Sequence, residues 1–80
     1  MFYNPQKELL SHIANAYCFL LDYKLNKNET SKKMFFKCKF EIKHLTHLSM
    51  TEINDIFYSI SAYNSPIKKL YTRFLPYIQK

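Results

Sequence analysis

Glycine is missing from this chain altogether, and only one of its twelve basic residues is an arginine. Without glycine there is no Gly-rich phosphate loop of the P-loop or dinucleotide-binding kind, because such loops need positive φ or close approach of bare backbone to phosphate. With Arg73 standing alone, bidentate reading of guanine is disfavoured; lysine acts as a point charge, so any nucleic acid is held by backbone or shape. Two cysteines, Cys18 and Cys38, do not make a disulfide framework and are expected to behave as small core or near-core hydrophobes. No apolar run reaches transmembrane length, and the N-terminus turns polar within four residues, unlike a signal peptide. The expected setting is the reducing cytosol of a bacterial host, away from membranes.

What is present is aromatic and cationic. Eighty residues make one domain, 1–80, and a chain this short must pack many large apolar groups to fold alone. Seven Phe, seven Tyr and 48% hydrophobic residues meet that need. The formal charge of +6 favours polyanions or acidic protein surfaces as partners; it equally describes a solvated lysine-rich surface.

The stretch 34–43 alternates. Met34, Phe36, Cys38, Phe40 and Ile42 fall on one face of an extended chain and Phe35, Lys37, Lys39, Glu41 and Lys43 on the other, which predicts a half-buried strand. Ahead of it, Asn4-Pro5 opens a helix over 5–21 whose buried stripe is Leu10, Ile13, Ala14, Tyr17, Leu20 and Leu21. Leu21, Tyr23 and Leu25 alternate with polar residues, so a first strand at 22–26 and a turn at 26–31 predict an antiparallel hairpin. Its uncovered edge offers a route to a dimer. Ser49 and Glu52 form a capping box before Ile53, Ile56, Phe57 and Ile60, the inward stripe of a second helix. Ser65-Pro66 restarts the pattern with Ile67, Leu70, Tyr71 and Phe74, and Pro76 ends or kinks that third helix near Leu75. The expected fold class is α+β: an N-terminal helix packed on a two-stranded antiparallel β-hairpin, followed by two C-terminal helices.

Three constellations carry chemistry. Seven of the eleven lysines, Lys24, Lys27, Lys32, Lys33, Lys37, Lys39 and Lys43, crowd into twenty residues with Phe35 among them. A basic sheet face bearing one aromatic holds a nucleic-acid backbone while stacking a base; the competing readings are a solvated face, or Phe35 covered by the last helix or docking a protein. His44 and His47, with Cys38 and Cys18, supply ligand types for zinc, but no C-x-x-C pair exists and no metal or cofactor is assigned. The same imidazoles suit general acid–base cleavage of RNA, or simply hydrogen bonding of a turn. Finally Tyr58, Tyr63, Tyr71 and Tyr77, with Arg73, Lys68 and Lys69, are residue types enriched at binding hot spots, Tyr71 being the one expected in the core.

The N-terminal helix, the hairpin and the run Phe36–Phe40 through His44-Leu45-Thr46-His47-Leu48 resemble, over about residues 8–61, the front half of a group of phage-borne nuclease-like domains. These belong to the assemblage related to barnase, EndoU, colicin E5/D and RelE, in which an apolar strand precedes a His-Leu-Thr-Gly-Leu element. His44 matches the motif histidine; His47 stands where the family has glycine, and the chain stops where the family's remaining sheet would begin. The resemblance implies a phage or mobile-element origin and a truncated, inactive relative. The expected function is therefore a small non-enzymatic binding protein that inhibits or redirects a host protein or ribonucleoprotein, for example an anti-CRISPR inhibitor of host defence. Its binding residues are taken as Lys24, Lys33, Phe35, Lys37, Lys39, Lys43, Tyr58, Tyr63 and Arg73. The alternatives are an RNase toxin using His44 or His47 and a sequence-independent nucleic-acid-binding domain touching RNA or DNA backbone.

Overall fold

A computed structural model describes residues 4–60 and 66–78. Among the described residues four helices follow one another: α1 (Pro5–Asn26), α2 (Glu29–Thr46), α3 (Met50–Ile60) and α4 (Pro66–Phe74), the last running into a 3-10 turn at Leu75–Tyr77. α1 packs along α2 as the most extensive pair, α3 lies against α2 and α4, and α4 returns to α1, closing a small helical bundle. Among the described residues there is no strand, so the α+β expectation, the hairpin and its pairing edge are all corrected.

The correction turns on two competing periods. Positions 34, 38 and 42 satisfy both alternation and a helical repeat, so they cannot tell the two apart. What decides is composition and caps. Between 34 and 43 only Ile42 is β-branched, whereas Lys, Glu and Met favour helix and Lys and Glu are poor strand formers. Asn28 caps α2, its Oδ1 accepting from the Thr30 amide at 3.0 Å, and Lys27 takes the left-handed conformation (φ 56°) that ends α1. The supposed turn at 26–31 thus shrinks to Lys27-Asn28 between antiparallel helices, and Leu21–Leu25 become the last turns of α1.

In the helix the inward stripe of α2 is Ser31, Phe35, Cys38, Lys39, Ile42 and Thr46. Phe35, expected outside, is in the core, whereas Phe36 and Phe40, expected inside, are 52% and 41% exposed. On α1 the stripe is turned by one residue from its expected position. Leu9, Ile13, Ala16 and Leu20 are buried; Leu10 and Leu21 are exposed. The C-terminal half follows its sequence signals closely. Ile53, Ile56, Phe57 and Ile60 of α3 are all buried, and Leu70 and Phe74 of α4 meet them, with Ile67 and Tyr71 half-buried beside the core. Phe57 is the centre of that core, edge-on to Phe35 at 5.4 Å between centroids and 5.8 Å from Phe74.

The local signals at the helix starts are met. Asn4 accepts from the Lys7 amide at 3.1 Å with Pro5 at the first helical position. Ser49 Oγ accepts from the Glu52 amide and donates to Glu52 Oε1, both at 3.2 Å. The Ser65 cap lies outside the described residues. Pro76 lies two residues past Phe74, the end of α4, where the chain tightens to the 3-10 turn.

Candidate functional site

Because α2 is helical, its lysines do not share one open sheet face. They divide. The buried stripe carries Lys39 inward, where lysine is rare, and its neighbours explain how it is accommodated. Lys39 is 8% exposed as a residue; its ammonium donates to Asn54 Oδ1 on α3 at 2.7 Å and lies 4.3 Å from the ring centroid of Phe35 and 5.8 Å from that of Phe36. No carboxylate neutralises it: among the described residues the one ion pair is His12 with Glu8, at 3.6 Å. Burial therefore pushes the Lys39 pKa below the ordinary lysine value.

Lys39 is part of the lining of a groove of about 390 Å³ formed where α1, α2 and α3 meet. Tyr23, Phe35, Phe36 and Tyr58 supply aromatic walls; Lys32 and Lys33 supply further cations, and among the described residues Glu29 is the single acid. The cations lean on the rings. Lys32 Nζ is 5.4 Å from the Tyr23 centroid, and Lys24 Nζ is 5.3 Å from that of Tyr58, itself 53% exposed. From Phe36 at the groove the aromatic surface continues along α2 to Phe40, 5.9 Å away, with His44 5.5 Å beyond and Lys43 Nζ 5.3 Å from the Phe40 ring.

Of the residues expected to bind, Lys24, Lys33, Lys39 and Tyr58 are brought together at the groove, whose floor is Phe35. Lys43 belongs to the Phe40 ridge, Lys37 is exposed on α2, and Arg73 is exposed on α4 and not among the groove's lining. Tyr63 lies outside the described residues. Tyr77 is 42% exposed in the terminal turn, Tyr71 packs against the core, and Lys68 and Lys69 are exposed on α4. Sequence reasoning missed Tyr23, Phe36 and Asn54, which the strand assignment placed in a sheet or left unused. The readable signal was Asn28 ahead of Glu29, a helix start that puts Phe36 and Phe40 one turn apart on a single face.

The histidines have other roles. His44 rests on Phe40, and His47 ends α2 in the left-handed conformation (φ 62°), its amide donating to Lys43 O at 2.8 Å. Neither imidazole is hydrogen-bonded to an acid or hydroxyl among the described residues. Cys38 is buried, its thiol pushed up by burial and by the nearby Glu41 charge, while Cys18 is exposed on α1. Among the described residues no three His, Cys, Asp or Glu side chains converge as metal ligands.

One polar cluster is structural. The Asp22 carboxylate near the end of α1 accepts from the Ser31 hydroxyl of α2, from Asn26 Nδ2 at 2.6 Å and from Asn28 Nδ2 at 2.9 Å, fastening the short α1–α2 turn. The Ser31 hydroxyl, then the Asn26 amide, hold its pKa below the usual carboxylate value.

No family model, curated protein or solved structure matches this chain. Among the described residues no helix is long and apolar enough to cross a membrane.

Proposed function

We propose that this chain is a binding protein without catalytic chemistry of its own, which inhibits or redirects a polyanionic host component, a ribonucleoprotein above all, by occupying it with the groove and its lysine rim. The observation that carries the reading is Lys39. An amide oxygen and two ring faces, with no carboxylate, offset the desolvation of this ammonium only in part; such a cation is most useful to an anion that arrives from outside. Lys24, Lys32 and Lys33 around it raise the local positive potential and steer an anionic partner to the same place. The separate stations of His44 and His47 favour binding over RNA cleavage. A host defence component as the target rests on the sequence likeness to phage-borne domains at His44-Leu45-Thr46, the hairpin and strand of that likeness being helix here; a bacterial cytosol rests on the two unpaired cysteines.

The test is a salt titration of binding to heparin, a generic polyanion. Displaced counterions make affinity fall steeply as salt rises. A shallower salt dependence in Lys39→Met combined with Lys33→Gln supports the groove as the contact; a flat salt response in the native protein overturns the reading. Incubation with RNA checks the catalytic alternative: the RNA stays intact, and cleavage abolished by His44→Ala or His47→Ala would replace this proposal with a nuclease.

A further inference from the structure

We infer that the groove takes one nucleotide unit of a single-stranded nucleic acid, with a phosphate on Lys39 and Lys33 and the base laid against Tyr58 and Phe36. The inference rests on the polyanion reading above and narrows its partner. Lysines alone would serve any anion, including an acidic peptide. The groove has more than lysines: its walls are aromatic, and flat π-faces beside cations match a ligand that repeats a phosphate and a ring. Its volume of about 390 Å³ lies within the range of sites that enclose a small ligand.

The strand is single because the bases of a duplex are stacked on one another and cannot lie against Tyr58. Recognition is tolerant of sequence. Lysine offers no planar fork, and among the described residues the groove holds a single carboxylate, Glu29, with few polar groups to read a base edge. Lys39 suits a phosphate oxygen: Asn54 takes one of its three donors, and no carboxylate competes for the others. Glu29 opposes the anion and limits affinity, so removing its charge strengthens binding.

The experiment is fluorescence anisotropy with a labelled single strand of about ten nucleotides, a length in the range one small domain covers. The competitors are the same sequence as duplex, heparin and polyglutamate. The single strand is expected to bind more tightly than the duplex or polyglutamate, and Glu29→Gln to tighten it. Tyr58→Ala and Phe36→Ala each weaken it on the order of tenfold, the loss of one stacked base, while leaving the salt slope unchanged. Tyr58→Phe keeps the stack and binds as the native protein does. Lys39→Met lowers the slope of log affinity against log salt by about 0.7, one phosphate contact. Both ring positions are more than half exposed, so these variants fold, and far-UV circular dichroism verifies it. Heparin binding with no preference for the single strand, or native-like binding by Tyr58→Ala, overturns this inference and leaves the polyanion reading standing. Polyglutamate binding as tightly as the oligonucleotide overturns it in favour of an acidic protein surface. Failure to bind any of the probes overturns both.

Discussion

The two faces of α2 each set phenylalanine beside lysine and do opposite things with them. On one, Phe35 lies edge-on to Phe57 in the core, with Lys39 drawn in over its ring. On the other, Phe36 and Phe40 stand open to solvent one turn apart, with Lys43 over the second ring. Phenylalanine beside lysine therefore says little about burial. What assigns each ring is whether another helix lies across it, which is a property of the fold and not of the neighbouring residues.

That contrast is broken most strongly by truncating one ring on each side. Phe35→Ala should cost about 3–5 kcal/mol, a large part of what a domain this small possesses, because it leaves a cavity against Phe57. Phe36→Ala and Phe40→Ala should change stability by no more than about 0.5 kcal/mol. Urea denaturation of the three variants measures it; equal losses on both faces would refute the helical assignment of α2.

The helix ends come next. Lys27 and His47 hold left-handed backbone in a chain without glycine, a conformation that crowds Cβ against the carbonyl. Lys27→Gly and His47→Gly should each raise stability by about 1 kcal/mol, read from the denaturation midpoint. A loss in either would mean that the helix continues through that position.

Lys39 gives a smaller effect with a definite pH signature. Its folded-state pKa is depressed, so between that value and the ordinary 10.5 the unfolded chain binds the proton more tightly and stability rises with pH. Lys39→Met removes the desolvated charge and is expected to be slightly more stable than the native protein near neutrality, with the difference shrinking as pH climbs toward 10.5. Asp22 works in the opposite range. Its carboxyl is held below 3.8 by the Ser31, Asn26 and Asn28 donors, so its contribution is complete above the unfolded value and vanishes as pH falls through the folded one. Asp22→Ala should therefore melt lower than the native protein near neutrality and converge with it in strong acid; a gap independent of pH would argue that the turn is held by other contacts.

How much of this was legible followed from how local each signal was. Asn4-Pro5 and Ser49 with Glu52 declare helix starts within four residues, and they are found there. The stripe of α3 was readable because Ile53, Ile56, Phe57 and Ile60 fit only the helical period. Residues 34–43 fit two periods, and the exposed pair Phe36 and Phe40 completed the false one. On α1 the rotation by one residue, Leu9 and Ala16 inward in place of Leu10 and Ala14, depends on where α2 and α4 lie. The lysine crowding was visible in the chain; the groove was not, because Tyr23, Lys39 and Tyr58 come from three helices that only packing brings together.

The most direct test of the central claim is a map of amide chemical-shift changes when a single-stranded oligonucleotide is added to the isotopically labelled protein. The changes are expected to gather at Tyr23, Lys32, Lys33, Phe36, Lys39 and Tyr58, with the outer face of α1 around Leu10 undisturbed. Changes centred on that outer face or on His44 and His47, or none at all, would contradict it.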